Sequence, residues 1–422
     1  MRHDERKLGQ VAVILFIIFI AFEIFSGVLR FALDKIGIVY FIYLPKLFGL
    51  AFCLTIFLVA IKRFKVRRGS LVLFLALTTA AFVGLTYTGC KQLLFGIWSA
   101  SPFLFSFFSY PFIRNYLTER NIFRWSLLAL LTALCGFIIN YLYPTVPWMG
   151  YIYNIGGTNI EGMREWVVLD YQRIGGFSRG SFSLAYQIVL FGLIVYYYSK
   201  SKIKSFILFL ILLSAILFTT MKTAFVVFMG VSIICSLYVR INKTYLRRIF
   251  LCIPLLLLIA GCYLPLLSYK SDLTLGIDSI ESKVLLGSLE DRLINTWPNF
   301  IAMIDSEGSL IFGRGLGGVG SATFYWESAL NNPIDNLYLY IYGVFGVFGV
   351  LILFLASLEL LSFAKTKSHL NDLFFILVVA LMFIGIAFSS IEGDGLTSLF
   401  FGISMAHISS TYSLDSRNRK VA

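Results

Sequence analysis

The residues best suited to chemistry in this 422-residue chain gather in three stretches. MREWVVLDYQRIGGFSRGSFSLAYQ carries Arg164, Arg173 and Arg179, and EDRLINTWPNFIAMIDSEGSLIFGRGLGGVGSATFYWE carries Arg292 and Arg314. The third, NNPIDNLYLYIYGVFGVFGV, places Asp335 and Asn336 directly before an aromatic, glycine-studded apolar run. Arginine's planar fork grips phosphate or carboxylate bidentately. Gly-Gly turns let backbone N–H groups approach an anion closely. Asp335, following Pro333 and Ile334 at the first turn of a helix, can accept orphan N–H groups and complement the helix dipole. It can equally accept a proton from a sugar hydroxyl, and one residue can do both. Lys222, in LFTTMKTAF at the junction of two apolar runs, joins the anion-binding set. The structural alternative pairs these arginines with the loop acids Glu161, Asp170, Asp291 and Glu327, or lets them snorkel toward lipid headgroups.

The elements that must position these side chains are membrane helices. Hydrophobic residues make up 59% of the chain, charged residues only 14%, and the mean hydropathy is +0.85. Such a composition excludes an ordinary soluble domain. A spanning helix takes roughly 20 apolar residues, and the chain offers about a dozen such runs. They lie near 9–29, 37–61, 71–89, 93–113, 123–143, 183–199, 204–220, 223–239, 249–267, 336–363, 370–389 and 395–412. An all-α polytopic architecture follows, with no soluble catalytic domain left over.

With a cytoplasmic amino terminus, the inside segments become MRHDERK, KRFKVRR, RNYLTERNIFR, KSKIK, RINKTYLRR, KTK and SRNRK, which hold most of the 35 Lys and Arg. Positive-inside therefore fits at every turn, and the net charge of +13 reflects orientation rather than nucleic-acid binding. Both termini fall inside. Two long segments, 144–182 and 268–334, fall outside, dividing the chain into helices 1–143, a first loop, helices 183–267, a second loop and the C-terminal helices and tail 335–422. The first span lacks a small-x-small cleavage site and stays in the membrane. Lys46 and Glu23 lie within spans, where charges face a bundle interior, and their pairing is the simpler account. The glycines at 343, 346 and 349 permit close helix packing. The six cysteines form no CxxC and the three histidines map to the cytoplasmic half, so no disulfide framework, metal site or outer histidine is expected. Trp148, Tyr151, Tyr153, Trp166, Tyr171, Tyr325 and Trp326 suit sugar stacking or an interfacial aromatic belt.

These residues resemble the O-antigen polymerase and O-antigen ligase superfamily of bacterial integral membrane glycosyltransferases. Its late signature is similar to Arg292, Trp297, Gly313, Gly315, Gly317, Asp335, Asn336, Leu339, Gly346 and Gly349 in order and spacing. An earlier signature resembles Arg173, Gly176, Phe177 and Ala185, and a third is met loosely by Lys222-Thr223-Ala224. The resemblance implies a GT-C-like fold in the bacterial inner membrane and a metal-independent, cofactor-free glycosyltransferase. Its substrates would be undecaprenyl diphosphate-linked oligosaccharide repeat units in membrane lipid, with a chain-length regulator protein as partner and no nucleic acid. Asp335 and Arg292 would be catalytic, and Arg173, Arg179, Lys222, Arg314 and Asn336 would hold the diphosphate or substrate. Ligases of this superfamily look for a His where Asp335 stands, which favours a polymerase of O-antigen, capsule or exopolysaccharide. A lipid-linked oligosaccharide flippase or transporter shares the helix count, but such folds usually show related halves, and none is visible here.

Overall fold

The computed structural model describes residues 3–62, 68–155, 158–168, 171–239, 241, 243–271, 280–307, 309–327, 334–365 and 368–418. Asp170, Pro333 and parts of the basic segments at 1–2, 63–67, 240, 366–367 and 419–422 lie outside the described residues.

Among the described residues the chain is overwhelmingly helical. In order come α1 (His3–Ile24), α2 (Ser26–Lys35), α3 (Leu44–Lys62), α4 (Arg68–Tyr87), α5 (Cys90–Ser99), α6 (Ser101–Ile113) and α7 (Glu119–Leu142). After a loop come α8 (Ser181–Tyr198), α9 (Lys202–Phe218), α10 (Lys222–Tyr238), α11 (Thr244–Leu251) and α12 (Ile253–Lys270). Then follow α13 (Ile280–Asp291), α14 (Trp297–Ser306), α15 (Ser321–Trp326), α16 (Leu337–Phe345), α17 (Val347–Glu359), α18 (His369–Ile384) and α19 (Gly395–Asn418). The all-α expectation needs one amendment. The first long loop folds into two antiparallel hairpins, β1 (Ile152–Ile155) with β2 (Thr158–Glu161), and β3 (Val167–Val168) with β4 (Tyr171–Gln172).

Among the described residues six helices are long and apolar enough to cross a membrane, or seven if the consecutive α5 and α6 form one broken span. The physical case is clearest in α4, whose apolar window is only 11% buried within the protein. A helix that apolar and that uncovered is stable against hydrocarbon, not water. The protein is thus read as a multi-pass membrane protein. The sequence reading counted about twelve spans because it scored apolar runs. Several of those runs fold as helices of 10–17 residues, among them α10 and α18. The run 336–363 is broken outright: Gly346 (φ +61) ends α16 and starts α17, with no room for a Cβ against the Ile311 carbonyl.

The chain divides into two compact units. The first comprises residues 1–59, 104–240 and 395–400. Its centre is α8, apolar on every side and 83% buried. Phe19 stacks on Phe105 at 5.0 Å, and Phe209 on Phe228 at 5.6 Å. The second unit comprises residues 60–103, 241–394 and 401–422. Its core holds most of α18 together with Trp297, Phe300 and Tyr338. A buried ion pair there joins Arg247 Nη2 to Asp372 Oδ1 at 2.5 Å, giving Arg247 a structural partner beyond its topological role.

Candidate active site

In the second unit, α13 runs into a single π-helical turn at Arg292–Thr296 before α14 begins. Pro298 explains the change of register. It has no N–H to donate and its ring crowds the carbonyl four residues back, so the helix widens upstream of it. The widened turn starts with Arg292. Its Nη1 donates to the Ser288 carbonyl at 3.1 Å and hydroxyl at 2.7 Å. Its Nη2 donates to Asp335 Oδ2 at 3.1 Å and the Ala387 carbonyl at 3.4 Å. The Arg292 side chain is 17% exposed and that of Asp335 44% exposed, so the pair sits at the rim of the fold rather than in its core. The Nε of Arg292 is buried without a partner.

Asp335 does not cap α16, which is where capping chemistry would have put it. Asn336 is the cap: its Oδ1 accepts from the N–H groups of Tyr338 at 2.8 Å and Leu339 at 2.9 Å. Its Nδ2 donates to the carbonyls of Gly261 and Ile386, both at 3.2 Å. Asn336 is fully buried and every amide hydrogen is engaged, so it anchors the helix and is not a substrate contact. The one-residue offset leaves the Asp335 carboxylate for Arg292. Burial raises the Asp335 pKa, the Arg292 guanidinium opposes that shift, and the Asp291 carboxylate adds to it.

Arg314 answers to its structural alternative. Its side chain is 3% exposed, with Nη2 2.8 Å from Glu327 Oε2 and Nη1 donating to the Gly318 carbonyl at 2.6 Å. Its Nε approaches Glu307 Oε2 at 2.6 Å as an ion pair without hydrogen-bond alignment. Gln92 donates to the other Glu327 oxygen at 2.8 Å, and Tyr87 lies under the guanidinium. With two carboxylates around it, Arg314 is not an open anion donor. In the glycine-rich loop around it, four N–H groups are committed to carbonyls: Gly313 to Ser309, Arg314 to Gly343, Leu316 to Ala80 and Gly318 to Gly315. Gly315 (φ +75) lies so close to Gly84 and Ala80 on α4 that a Cβ would meet backbone atoms. The glycines let a loop dock on helices.

In the first unit the segment 173–180 is pinned in the same manner. Asn140 Oδ1 accepts from the N–H groups of Gly175 and Gly176, both at 3.1 Å, so this Gly-Gly turn has no donors left for an anion. Trp148 donates to the Gly176 carbonyl at 2.9 Å, and Gly27 donates to that of Phe177. This fixes Arg173 and Arg179 at the two ends of the segment. The Arg179 N–H donates to Ser26 Oγ at 2.9 Å and its carbonyl accepts from Arg164. Its guanidinium pKa is pushed down to about 10, chiefly by burial and then by Arg30 and Arg164. Arg173 Nη1 lies 4.0 Å from the sulfur of Met221, the residue before Lys222 at the start of α10. That turn is strained, since Thr220 is a β-branched residue at φ +58. The structure therefore brings Arg164, Arg173, Arg179 and the Lys222 turn into one unit, and Arg292 with Asp335 into the other.

Sequence reasoning missed Arg30 on α2, although a signal existed. It lies just past the first span, on the expected outer side, where positive-inside gives no reason for a basic residue. It also missed Ser288 and Asn140, whose roles depend on tertiary placement alone. Compared with family models, curated proteins and solved structures, the chain matches none.

Proposed function

We propose that the protein is a polysaccharide polymerase, a metal-independent glycosyltransferase of the bacterial inner membrane with both termini cytoplasmic. It transfers a glycan from undecaprenyl diphosphate to the terminal hydroxyl of a lipid-linked repeat unit. The observation that carries this reading is the Arg292–Asp335 pair, a cation and a base of raised pKa held 3.1 Å apart at the rim of the fold.

In the reaction the anomeric C–O bond to the diphosphate breaks and a new bond forms to the acceptor oxygen. Asp335 takes the acceptor's proton. Arg292, held by Ser288 through Nη1 and by Asp335 and Ala387 through Nη2, stabilises with its fixed positive charge the negative charge growing on the departing diphosphate. Arg173, Arg179 and Lys222, in the first unit, bind anionic parts of the substrate. The aspartate in place of histidine disfavours the ligase reaction. Of the second unit's two described histidines, His407 is buried, bonded to Asn371 at 2.9 Å and stacked on Phe374, and His369 begins α18.

Glycan length on a gel tests the reading in cells lacking the endogenous gene. Complementation with the wild type should give a ladder of repeats, and Asp335→Asn or Arg292→Ala at equal membrane levels only single units. A flippase would instead show lipid-linked units held on the inner leaflet when it is disabled.

A further inference from the structure

Four arginines of the first unit, Arg30, Arg164, Arg173 and Arg179, make no ion pair among the described residues. Three chain segments bring Arg30, Arg164 and Arg179 together around Ser26. Arg30 Nη1 reaches the Ser26 carbonyl at 3.4 Å, Arg179 N–H reaches its hydroxyl, and Arg164 N–H reaches the Arg179 carbonyl. The Nε atoms of Arg30, Arg173 and Arg179 are buried without partners, and so is the hydroxyl of Tyr153, a residue only 3% exposed. The neighbouring carboxylates are engaged elsewhere: Asp34 accepts from the Tyr151 hydroxyl at 2.5 Å, and Glu165 from Gln172 at 3.1 Å. A like-charge cluster with unsatisfied buried donors is costly to fold and is relieved by a bound oxyanion.

A second feature narrows the ligand. Trp166 is 37% exposed, and the guanidinium carbons of Arg164 and Arg173 lie 5.7 and 5.4 Å from its ring centre. A tryptophan face suits the C–H face of a pyranose, and a guanidinium fork beside it suits a carboxylate on that same ring. We propose that Arg30, Arg164, Arg179 and the Tyr153 hydroxyl bind the carboxylate of an acidic sugar whose ring rests on Trp166, so that the glycan handled by this protein contains a hexuronate. The proposal rests on the glycan reading above, and it makes Arg30 and Trp166 specificity-determining residues.

The test uses the full chain in phosphatidylcholine nanodiscs, titrated calorimetrically with trigalacturonate, neutral maltotriose and inorganic pyrophosphate. Trigalacturonate should bind and maltotriose should not. Arg30→Gln, Arg179→Gln and Trp166→Ala should each weaken trigalacturonate binding by about tenfold or more, the loss expected for one charge-assisted or stacking contact. If Arg179→Gln fails to fold, Tyr153→Phe removes a single hydroxyl and should still weaken binding several-fold. Equal binding of maltotriose, or no binding of trigalacturonate, overturns the proposal. So does pyrophosphate binding more tightly with Trp166→Ala changing neither ligand, which would assign the cluster to a lipid diphosphate or free phosphate. A wild-type glycan ladder alongside failed trigalacturonate binding would sink this inference and leave the polymerase reading standing.

Discussion

Arg292 and Asp335 are separated by 43 residues of sequence and meet through Nη2 and Oδ2 at 3.1 Å. They meet because two local rules act independently. Pro298 forces a π turn that begins with Arg292, and Asn336 takes the cap of α16 so that the preceding carboxylate stays outside the helix.

The pH dependence of elongation follows from the charges around Asp335. Its folded pKa lies above the ordinary 3.8, so the basic form is lost as pH falls through that raised value. Activity should show an acidic limb displaced upward from that of an ordinary aspartate. Asp291 contributes to the rise, so Asp291→Asn should move the limb to lower pH. Arg292→Ala removes the opposing cation and should move the limb of its residual activity upward. Initial rates of repeat addition against pH in the three proteins check both directions.

Asn336→Ala should act on stability before chemistry. It removes an N-cap and leaves the Gly261 and Ile386 carbonyls short of a donor, a loss of about 1–3 kcal/mol. Asn336→Asp keeps the capping acceptor and loses the donors, so its midpoint in a thermal melt in detergent should fall between those of wild type and Asn336→Ala. Equal melting of all three would remove the anchoring role.

Arg314→Met should destabilise the second unit by roughly 3–5 kcal/mol, because it strands Glu307 and Glu327 beside a buried site. Adding Glu307→Gln and Glu327→Gln to that variant should restore part of the loss. A diphosphate-binding Arg314 would instead leave the melting temperature unchanged when replaced.

The glycines separate by environment. Gly315→Ala places a Cβ against the Gly84 and Ala80 backbone at positive φ and should abolish stable folding. Gly287 lies within α13 with nothing near a Cβ, so Gly287→Ala should be neutral or stabilising by up to about 1 kcal/mol. Folded yield by size-exclusion chromatography distinguishes them.

Arg292, Asp335 and the arginine-rich loop were legible in the sequence because charges out of place in an apolar chain are costly and call for a reason. Their local roles were less so. Asp335 and Asn336 are both good capping residues one position apart, and only the backbone decides which side chain faces the orphan N–H groups. Gly175, Gly176 and the glycines around Arg314 have the composition of an anion nest, yet the N–H groups of Gly175 and Gly176 bond to Asn140 and those of Gly313 and Gly318 to neighbouring backbone. Gly346 sits in an unbroken apolar run, and its positive φ depends on the approach of Ile311. Arg30 escaped notice because its partners, Arg164 and Arg179, are distant in sequence.

The most direct measurement follows the leaving group. Purified protein in nanodiscs, given a synthetic undecaprenyl diphosphate-linked repeat unit, should release undecaprenyl diphosphate by phosphorus NMR in step with glycan of two or more repeats. Asp335→Asn and Arg292→Ala should slow that release by about 100-fold or more. Release at the wild-type rate from both variants, or none from the wild type while the lipid-linked unit crosses the bilayer intact, would contradict the assignment of this pair to polymer elongation.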